Sequence, residues 1–331
     1  MHILGIDIGG TKTAICVGNE SGKILSSTRI PTLTGDSMDD YFRQVRSKCD
    51  EAVAQAGLTL AGIDVVGISA PGPLSVPKGT LLAPPNNPGW KNVPIVKIIG
   101  DMLKRPVILN NDANAAVLAE YFFGEFKGTK DLVYLTFSTG MGGGLIAAGR
   151  LVQGITDMGG EVGHLTLDIN GPPCGCGKQG CWEAYVGGKN LAERLKEKIR
   201  AGKIKTLIVD KAGGNIDQIT TKSLADAVRA GDKFAAAEWD AFMEHLAHGM
   251  SNIIMILNPE VIVLGTIAIH EGDLVLKPLR EKMRRYTGEW PLNSCKIVPS
   301  KLGVEIGELA ALAVGIASMD SSRALSPAGQ G

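Results

Sequence analysis

Four side chains within eighteen residues have the chemistry of a metal site: His164, Cys174, Cys176 and Cys181. Their order is His-x9-Cys-x-Cys-x4-Cys, with glycines between the sulfurs, so the loop can close on a small ion. One imidazole nitrogen and three thiolates are donors that zinc prefers. Together they fill its tetrahedron and leave no position for a catalytic water. The expected metal is a structural Zn2+; the competing possibilities are a reduced, metal-free thiol cluster or a Cys-x-Cys disulfide. Glu161-x-x-His164 lacks the second histidine of His-Glu-x-x-His, so a zinc protease is unsupported. With one imidazole nitrogen on the metal the other is left for a ligand hydroxyl, and Glu161 and Glu183 flank the loop as hydroxyl acceptors.

A second set of residues suits phosphate and proton chemistry. Gly9-Gly10-Thr11-Lys12 lies between two apolar runs, where glycine lets backbone N–H groups approach a phosphate. Because this turn joins strand to strand, it does not fit the dinucleotide fingerprint, which must open a helix. An ordinary hairpin turn is the plain alternative. The pattern recurs: Leu132–Phe137 reads as a strand, Ser138–Gly144 as a glycine loop, and Leu145–Ala148 as a second strand. Two such turns facing each other can hold a polyphosphate from both sides. Asp112 follows Asn110-Asn111 at the end of a predicted strand, a position suited to an active-site acid or to an ordinary helix N-cap.

The elements that must position these groups follow from periodicity and turn chemistry. Apolar runs Ile3–Asp7 and Thr13–Val17 and a third beginning at Ile24 read as a β-meander, followed by a helix over 38–57 with Tyr41, Val45, Cys49 and Val53 at helical spacing. Ile63–Ile68 is a strand leading to Ser69-Ala-Pro-Gly-Pro. Behind it, the turn-rich stretch 84–90 places Trp90 beside Asn86 and Asn87, a plausible wall for a sugar, although turn chemistry alone also explains the asparagines. Helices are expected over 113–122, 190–201, 233–257 (stopped by Pro259) and 307–318, with Ser223 capping another; residues 202–222 stay unassigned. Val261–Gly265 is a buried-type strand whose glycine can underlie an adenine or simply end a core strand. A lobe boundary is expected near residues 112–120.

Lys+Arg and Asp+Glu are equal at 34 each and no basic run occurs, which argues against a nucleic-acid partner. No apolar run reaches the ~20 residues needed to span a bilayer, and the opening Met-His-Ile-Leu-Gly lacks signal-peptide character, so a cytoplasmic protein is expected. Cys16, Cys49 and Cys295 are scattered among apolar residues as core thiols would be.

Asp7-Ile-Gly-Gly-Thr-Lys-Thr13, Asn110-Asn-Asp112, Gly140-Met-Gly-Gly-Gly144, Glu161-Val-Gly-His164 and Cys174-Gly-Cys-Gly-Lys-Gln-Gly-Cys-Trp-Glu183 together resemble the ROK sugar kinases and related repressors, of the actin, Hsp70 and hexokinase superfamily. The likeness covers nearly the whole chain. It implies an α/β, two-lobe actin-like ATPase fold (duplicated ribonuclease H-like) with a zinc-binding loop. The small lobe would span 1–115, completed by the C-terminal helix; the large lobe, with zinc loop 161–183, would span 116–306, and 320–331 would form a flexible tail. It further implies that Asp112 is the general base and that Gly72, Asn87, Asn111, Glu161, His164 and Glu183 hold the sugar. Asn87 is preferred to Asn86 because the family's loop has an asparagine three residues before the tryptophan. ATP would be held by Asp7, Gly9, Gly10, Thr11 and Lys12 on one side, by Thr139, Gly140, Gly142 and Gly143 on the other, and by Gly265 under the adenosine. Asp7 would orient Mg2+ through water. One departure is Val263-Leu-Gly-Thr-Ile267, where the family shows more glycine. The implied reaction is phosphorylation of a hexose by ATP, with glucose O6 foremost. N-acetylmannosamine or N-acetylglucosamine kinase and a non-catalytic sugar sensor are the alternatives. Only six residues precede Asp7, so no helix-turn-helix fits and the kinase branch is favoured. The resemblance alone implies a homodimer.

Overall fold

The computed structural model describes residues 1–32, 37–84, 87 and 89–319. The expected flexible tail at 320–331 and Asn86 lie outside the described residues. The chain divides into two compact units: Met1–Tyr134, Gly144–Gly160 and the segment from Lys301 on form unit 1, and Leu135–Gly143 with Glu161–Ser300 form unit 2. A boundary at residue 115 would cut the helix Asp112–Phe123, all of which belongs to unit 1.

The meander is present as β1 (His2–Ile8), β2 (Lys12–Asn19) and β3 (Ile24–Pro31), paired antiparallel. Helix α1 (Met38–Gln55) starts at Ser37, whose side chain accepts the Asp40 N–H, and buries the Tyr41, Val45, Cys49 and Val53 stripe. β4 (Val65–Ala70) adds parallel to β1. The short β5 (Leu74–Ser75) and β6 (Thr80–Leu81) form a hairpin before α2 (Ile95–Leu103), and β7 (Val107–Asn111) adds parallel to β4 and leads directly into α3 (Asp112–Phe123). The sheet order is β3-β2-β1-β4-β7. All six β4 residues are buried, as expected of a strand covered on both faces.

The second sheet contains β8 (Leu132–Phe137), β9 (Met141–Ala147) and β10 (Arg150–Leu151). An irregular stretch leads to α4 (Trp182–Val186) and α5 (Gly188–Gly202). The segment left unassigned from sequence contains α6 (Leu207–Lys211), a 3-10 turn at Ile216–Gln218 and the start of α7 (Thr221–Arg229). The N-cap of α7 is Thr220; Ser223 is its capping-box partner, so the cap expected at Ser223 lies three residues late. α8 (Lys233–Leu257) ends at Asn258, in left-handed conformation, just before Pro259. β11 (Val261–Leu264), α9 (Ile267–Glu271), α10 (Asp273–Met283), α11 (Glu289–Ser294) and β12 (Lys296–Pro299) follow, giving the order β10-β9-β8-β11-β12.

The last helix, α12 (Ile306–Met319), belongs to unit 1 and packs on β1, β4 and α3. Its approach is close: a Cβ on Gly67 of β4 would lie 2.0 Å from the Ala311 carbonyl oxygen. α12 covers the sheet face that carries Gly5, Gly18 and Gly67; on the other face Leu4, Ile6, Ile15 and Ile68 are fully buried in one core with Tyr41, Val45 and Val53 of α1, each contributing about 1.5–3 kcal/mol.

Candidate active site

In unit 1 the chemistry gathers at the carboxyl ends of parallel strands, the usual place for ligands on open α/β sheets. Asp7 on β1 is in register with Ser69 on β4, and Ser69 with Asn110 on β7. The Ser69 hydroxyl donates to Asp7 Oδ1 at 2.8 Å, and Gly307 near the start of α12 lies against the other oxygen. Burial holds the Asp7 carboxyl above the ordinary range, opposed by the Ser69 hydrogen bond. Beyond Asp7 the turn closes through Gly9 N–H to the Lys12 carbonyl at 2.9 Å, with Gly10 half-buried and Thr11 and Lys12 exposed.

Asn111, not Asp112, caps α3. Its Oδ1 accepts the Ala113 and Asn114 N–H groups. Asp112 is the first helical residue, with its side chain exposed and Oδ1 accepting the Ala113 N–H at 2.8 Å. Strand-to-helix geometry thus gives the neighbouring amide most of the capping task and leaves the carboxylate at the helix N-terminus, where negative charge is favoured.

Gly72 precedes Pro73 through a cis peptide bond. Asn87 is 1% exposed, and neither amide atom of its side chain has a hydrogen-bond partner among the described residues. A buried, unsatisfied amide normally costs about 1–3 kcal/mol, which makes it a strong candidate for a ligand contact. Trp90 departs from expectation. It is 4% exposed and packs edge-on against Tyr41, with Phe42 behind, so the indole is part of the core and forms no sugar wall.

In unit 2, His164 lies on a 3-10 turn (Val162–His164), and bridges between Thr166 and Cys181 and between Pro173 and Gln179 fold the loop back. The donor atoms of His164, Cys174, Cys176 and Cys181 all lie within 4.8 Å of one another. Cys176 and Cys181 sulfurs are 3.7 Å apart, and His164 Nδ1 is 3.9 Å from the Cys174 sulfur. A zinc tetrahedron has edges of about 3.8 Å, so the four donors fit that ion. Nδ1 faces the thiols, whereas Nε2 is 3.9 Å from Glu161 Oε2. Burial pushes the Glu161 carboxyl up, against the pull of His164. Glu183 Oε2 accepts the Met141 N–H at 2.8 Å.

The second glycine turn is shorter than its sequence suggests. Ser138 N–H donates to the Gly140 carbonyl at 3.0 Å, and Gly142 and Gly143 already belong to β9, so Thr139 and Gly140 alone of the expected phosphate residues occupy the turn. Beside it lies a cavity of about 920 Å³ lined by Ser138, Thr139, Gln218, Thr220, Thr266 and Ile267 among others. Gly265 donates its N–H to the Leu135 carbonyl and is not among the lining residues; the next two residues are. Thr266 adopts φ 33°, costly for a β-branched residue, and its hydroxyl is 2.9 Å from that of Thr136. Gln218 and Thr220 escaped sequence analysis, which stopped at Ser223 as a helix cap, three residues beyond the true cap Thr220.

The family model described as the ROK family matches residues 3–316. This chain belongs to the ROK family. A glucokinase of Thermotoga maritima is 33% identical over 314 residues, 95% of this chain and 97% of that protein. A xylose repressor of Caldicellulosiruptor bescii is 30% identical over 317 residues, 96% of this chain and 78% of that protein. The crystal structure of a ROK family glucokinase from Streptomyces griseus, in complex with glucose and AMPPNP, superposes with a TM-score of 0.76 at 31% identity, over 96% of this chain and 99% of that one. The fold of this ROK protein is accordingly the α/β, actin-like ATPase fold of that family's kinases. Among its described residues no helix is long and apolar enough to cross a membrane.

Proposed function

We propose that this ROK protein phosphorylates a hexose hydroxyl at the expense of ATP, with glucose O6 as the foremost acceptor. The observation that carries this reading is the junction of β7 and α3. There a capping amide at Asn111 leaves Asp112 as an exposed carboxylate at a helix start, beside strand ends that also bear Asp7 and Ser69. Asp112 accepts the proton of the attacking hydroxyl. Gly72, Asn87, Asn111, Glu161, His164 and Glu183 hold the sugar, and the Asn87 amide, buried with no side-chain partner among the described residues, supports its share of that task. Backbone N–H groups of the two glycine turns, with Thr11, Lys12 and Thr139, position the phosphates and offset developing charge, which in phosphoryl transfer supplies most of the catalysis. Thr266 and Ile267 replace Gly265 as the cavity-lining candidates for the adenosine.

Mg2+ would be oriented by Asp7 through water and would neutralise phosphate charge. Zn2+, held by His164 Nδ1 and the three thiols, would brace the loop without joining the chemistry. A homodimer in the cytoplasm completes the proposal.

The xylose repressor at 30% identity favours one rival, a sugar sensor without catalysis. A coupled ADP-release assay over glucose, mannose, fructose, N-acetylmannosamine and N-acetylglucosamine separates the two. ADP release is expected with glucose foremost; release only with an N-acetylhexosamine would reassign the substrate, and none with any sugar would leave the sensor. Asp112→Asn should keep sugar binding and lose roughly 10²-fold or more in turnover. Near-normal turnover in that variant removes Asp112 from the role of base.

A further inference from the structure

Glu183 touches the glycine turn as well as the metal loop. Its Oε2 accepts the Met141 N–H at 2.8 Å, and a Cβ on Gly140 would lie 2.5 Å from that same oxygen. Its Oε1 is 3.7 Å from the Cys174 sulfur. Two further hydrogen bonds run alongside: Gly188 N–H donates to the Ser138 carbonyl at 2.9 Å and Lys189 N–H to the Thr139 carbonyl at 3.0 Å. Trp182 is 0% exposed, buried against α8, where a Cβ on Gly249 would overlap its ring, so the start of α4 is anchored. Asn190 Nδ2 holds the Glu183 carbonyl from the other side at 3.1 Å. The turn 138–141 is therefore strapped at three backbone positions to the segment 183–189.

We infer that Glu183, besides holding the sugar, couples the sugar clamp to the phosphate turn, and that residue 140 is glycine to admit the Glu183 carboxylate. An added methyl at 140 meets the end of a flexible side chain, so the carboxylate swings away and the Met141 hydrogen bond breaks while the backbone stays in place. Sugar affinity then depends on a residue of the phosphate turn even when no nucleotide is present. This rests on the proposed sugar-binding role of Glu183.

The test uses the full chain. Calorimetric titration with glucose, without nucleotide, is run on the wild type and on Gly140→Ala. A loss of affinity of about tenfold or more is expected, the size of one charge-assisted hydrogen bond. Wild-type affinity in Gly140→Ala overturns the inference, because a glycine serving only phosphates leaves sugar binding alone. Should Gly140→Ala not fold, hydrogen exchange on Glu183→Ala decides: the Met141 amide should exchange at least about tenfold faster than in the wild type, whereas unchanged exchange overturns the strap. A wild type that binds no hexose at all sinks the proposed function instead, and the exchange measurement still stands as the test of the strap.

Discussion

In the β1–β2 turn Gly9 donates to Lys12, and the strand before it carries Asp7, held by Ser69. In the β8–β9 turn Ser138 donates to Gly140, and the strand before it carries Thr136, whose hydroxyl pairs with Thr266. Both are strand, glycine turn, strand; the first lies in unit 1, whereas the turn of the second falls in unit 2 and the far ends of its strands in unit 1. The first places an acid at its base. The second has no acid there; its carboxylate arrives from α4, forty-two residues downstream, as Glu183. One local pattern thus serves two tasks, because what surrounds a turn is set by distant parts of the chain. Both turns are proposed to hold phosphate; the first adds an acid at its base, and the second is fastened through Met141 to Glu183.

Asp7→Asn should break the comparison most severely. Turnover should fall roughly 10²-fold, the scale for losing one preorganised electrostatic group, whereas Thr136→Val should leave turnover within a few-fold. Because burial already opposes the Asp7 charge, the Asn variant should melt no lower than the wild type; a large drop in melting temperature would show Asp7 to be structural.

Cys176→Ser comes next. Mass spectrometry under native conditions should show the metal lost, and hydrogen exchange should rise in 161–183 and 138–141 but stay unchanged in 8–12. Equal loosening of both turns would contradict the separate attachment. A structural zinc supplies several kcal/mol or more, so a clear fall in melting temperature is also expected.

At Thr266 the contrast is between Gly and Ala. Thr266→Gly should be more stable than Thr266→Ala by about 1 kcal/mol in urea unfolding, since only glycine takes φ 33° freely. The reverse order would remove the strain.

The smallest effect lies away from both turns. Glu244 accepts from Tyr286, Lys282 and Arg285, and these bonds, the Tyr286 hydroxyl first, hold its carboxyl down at about 2. A depressed folded value stabilises the protein above the unfolded value of 4.5 and is lost as pH falls through about 2. The stability gap between wild type and Glu244→Gln should therefore close as pH drops across that window, and a gap constant with pH would refute the network.

Much of the fold was legible because its signals are local. The α1 stripe of Tyr41, Val45, Cys49 and Val53 and the stop of α8 at Pro259 depend on periodicity and on proline's missing N–H. The Cys3His set was legible for the same reason: its members are tied together by short glycine-rich chain. Trp90 was misjudged because an indole beside asparagines looks alike from sequence whether it faces a ligand or a core, and only the packing of Tyr41 and Phe42 decides. Gly142 and Gly143 passed for loop because glycine signals turns, yet pairing within the sheet made them strand. Of the two positions open to Asp112, the N-cap falls to Asn111 one residue earlier, whose side chain accepts the Ala113 and Asn114 N–H groups.

By itself, then, the sequence determined which chemistries are present and which short segments carry them: donors for one metal, two glycine turns, and a carboxylate at a strand end. Spacing along the chain suffices there because the reach of a short loop limits what its residues can do. Tertiary structure alone decided the partners. That Asp7 meets Ser69 and that Glu183 reaches back to Met141 are contacts closed over dozens of residues, and the burial of the Asn87 amide with no side-chain partner among the described residues is likewise tertiary. Such closures are set by the packing of α12 on β1 and β4 and of Trp182 on α8, which no local pattern encodes.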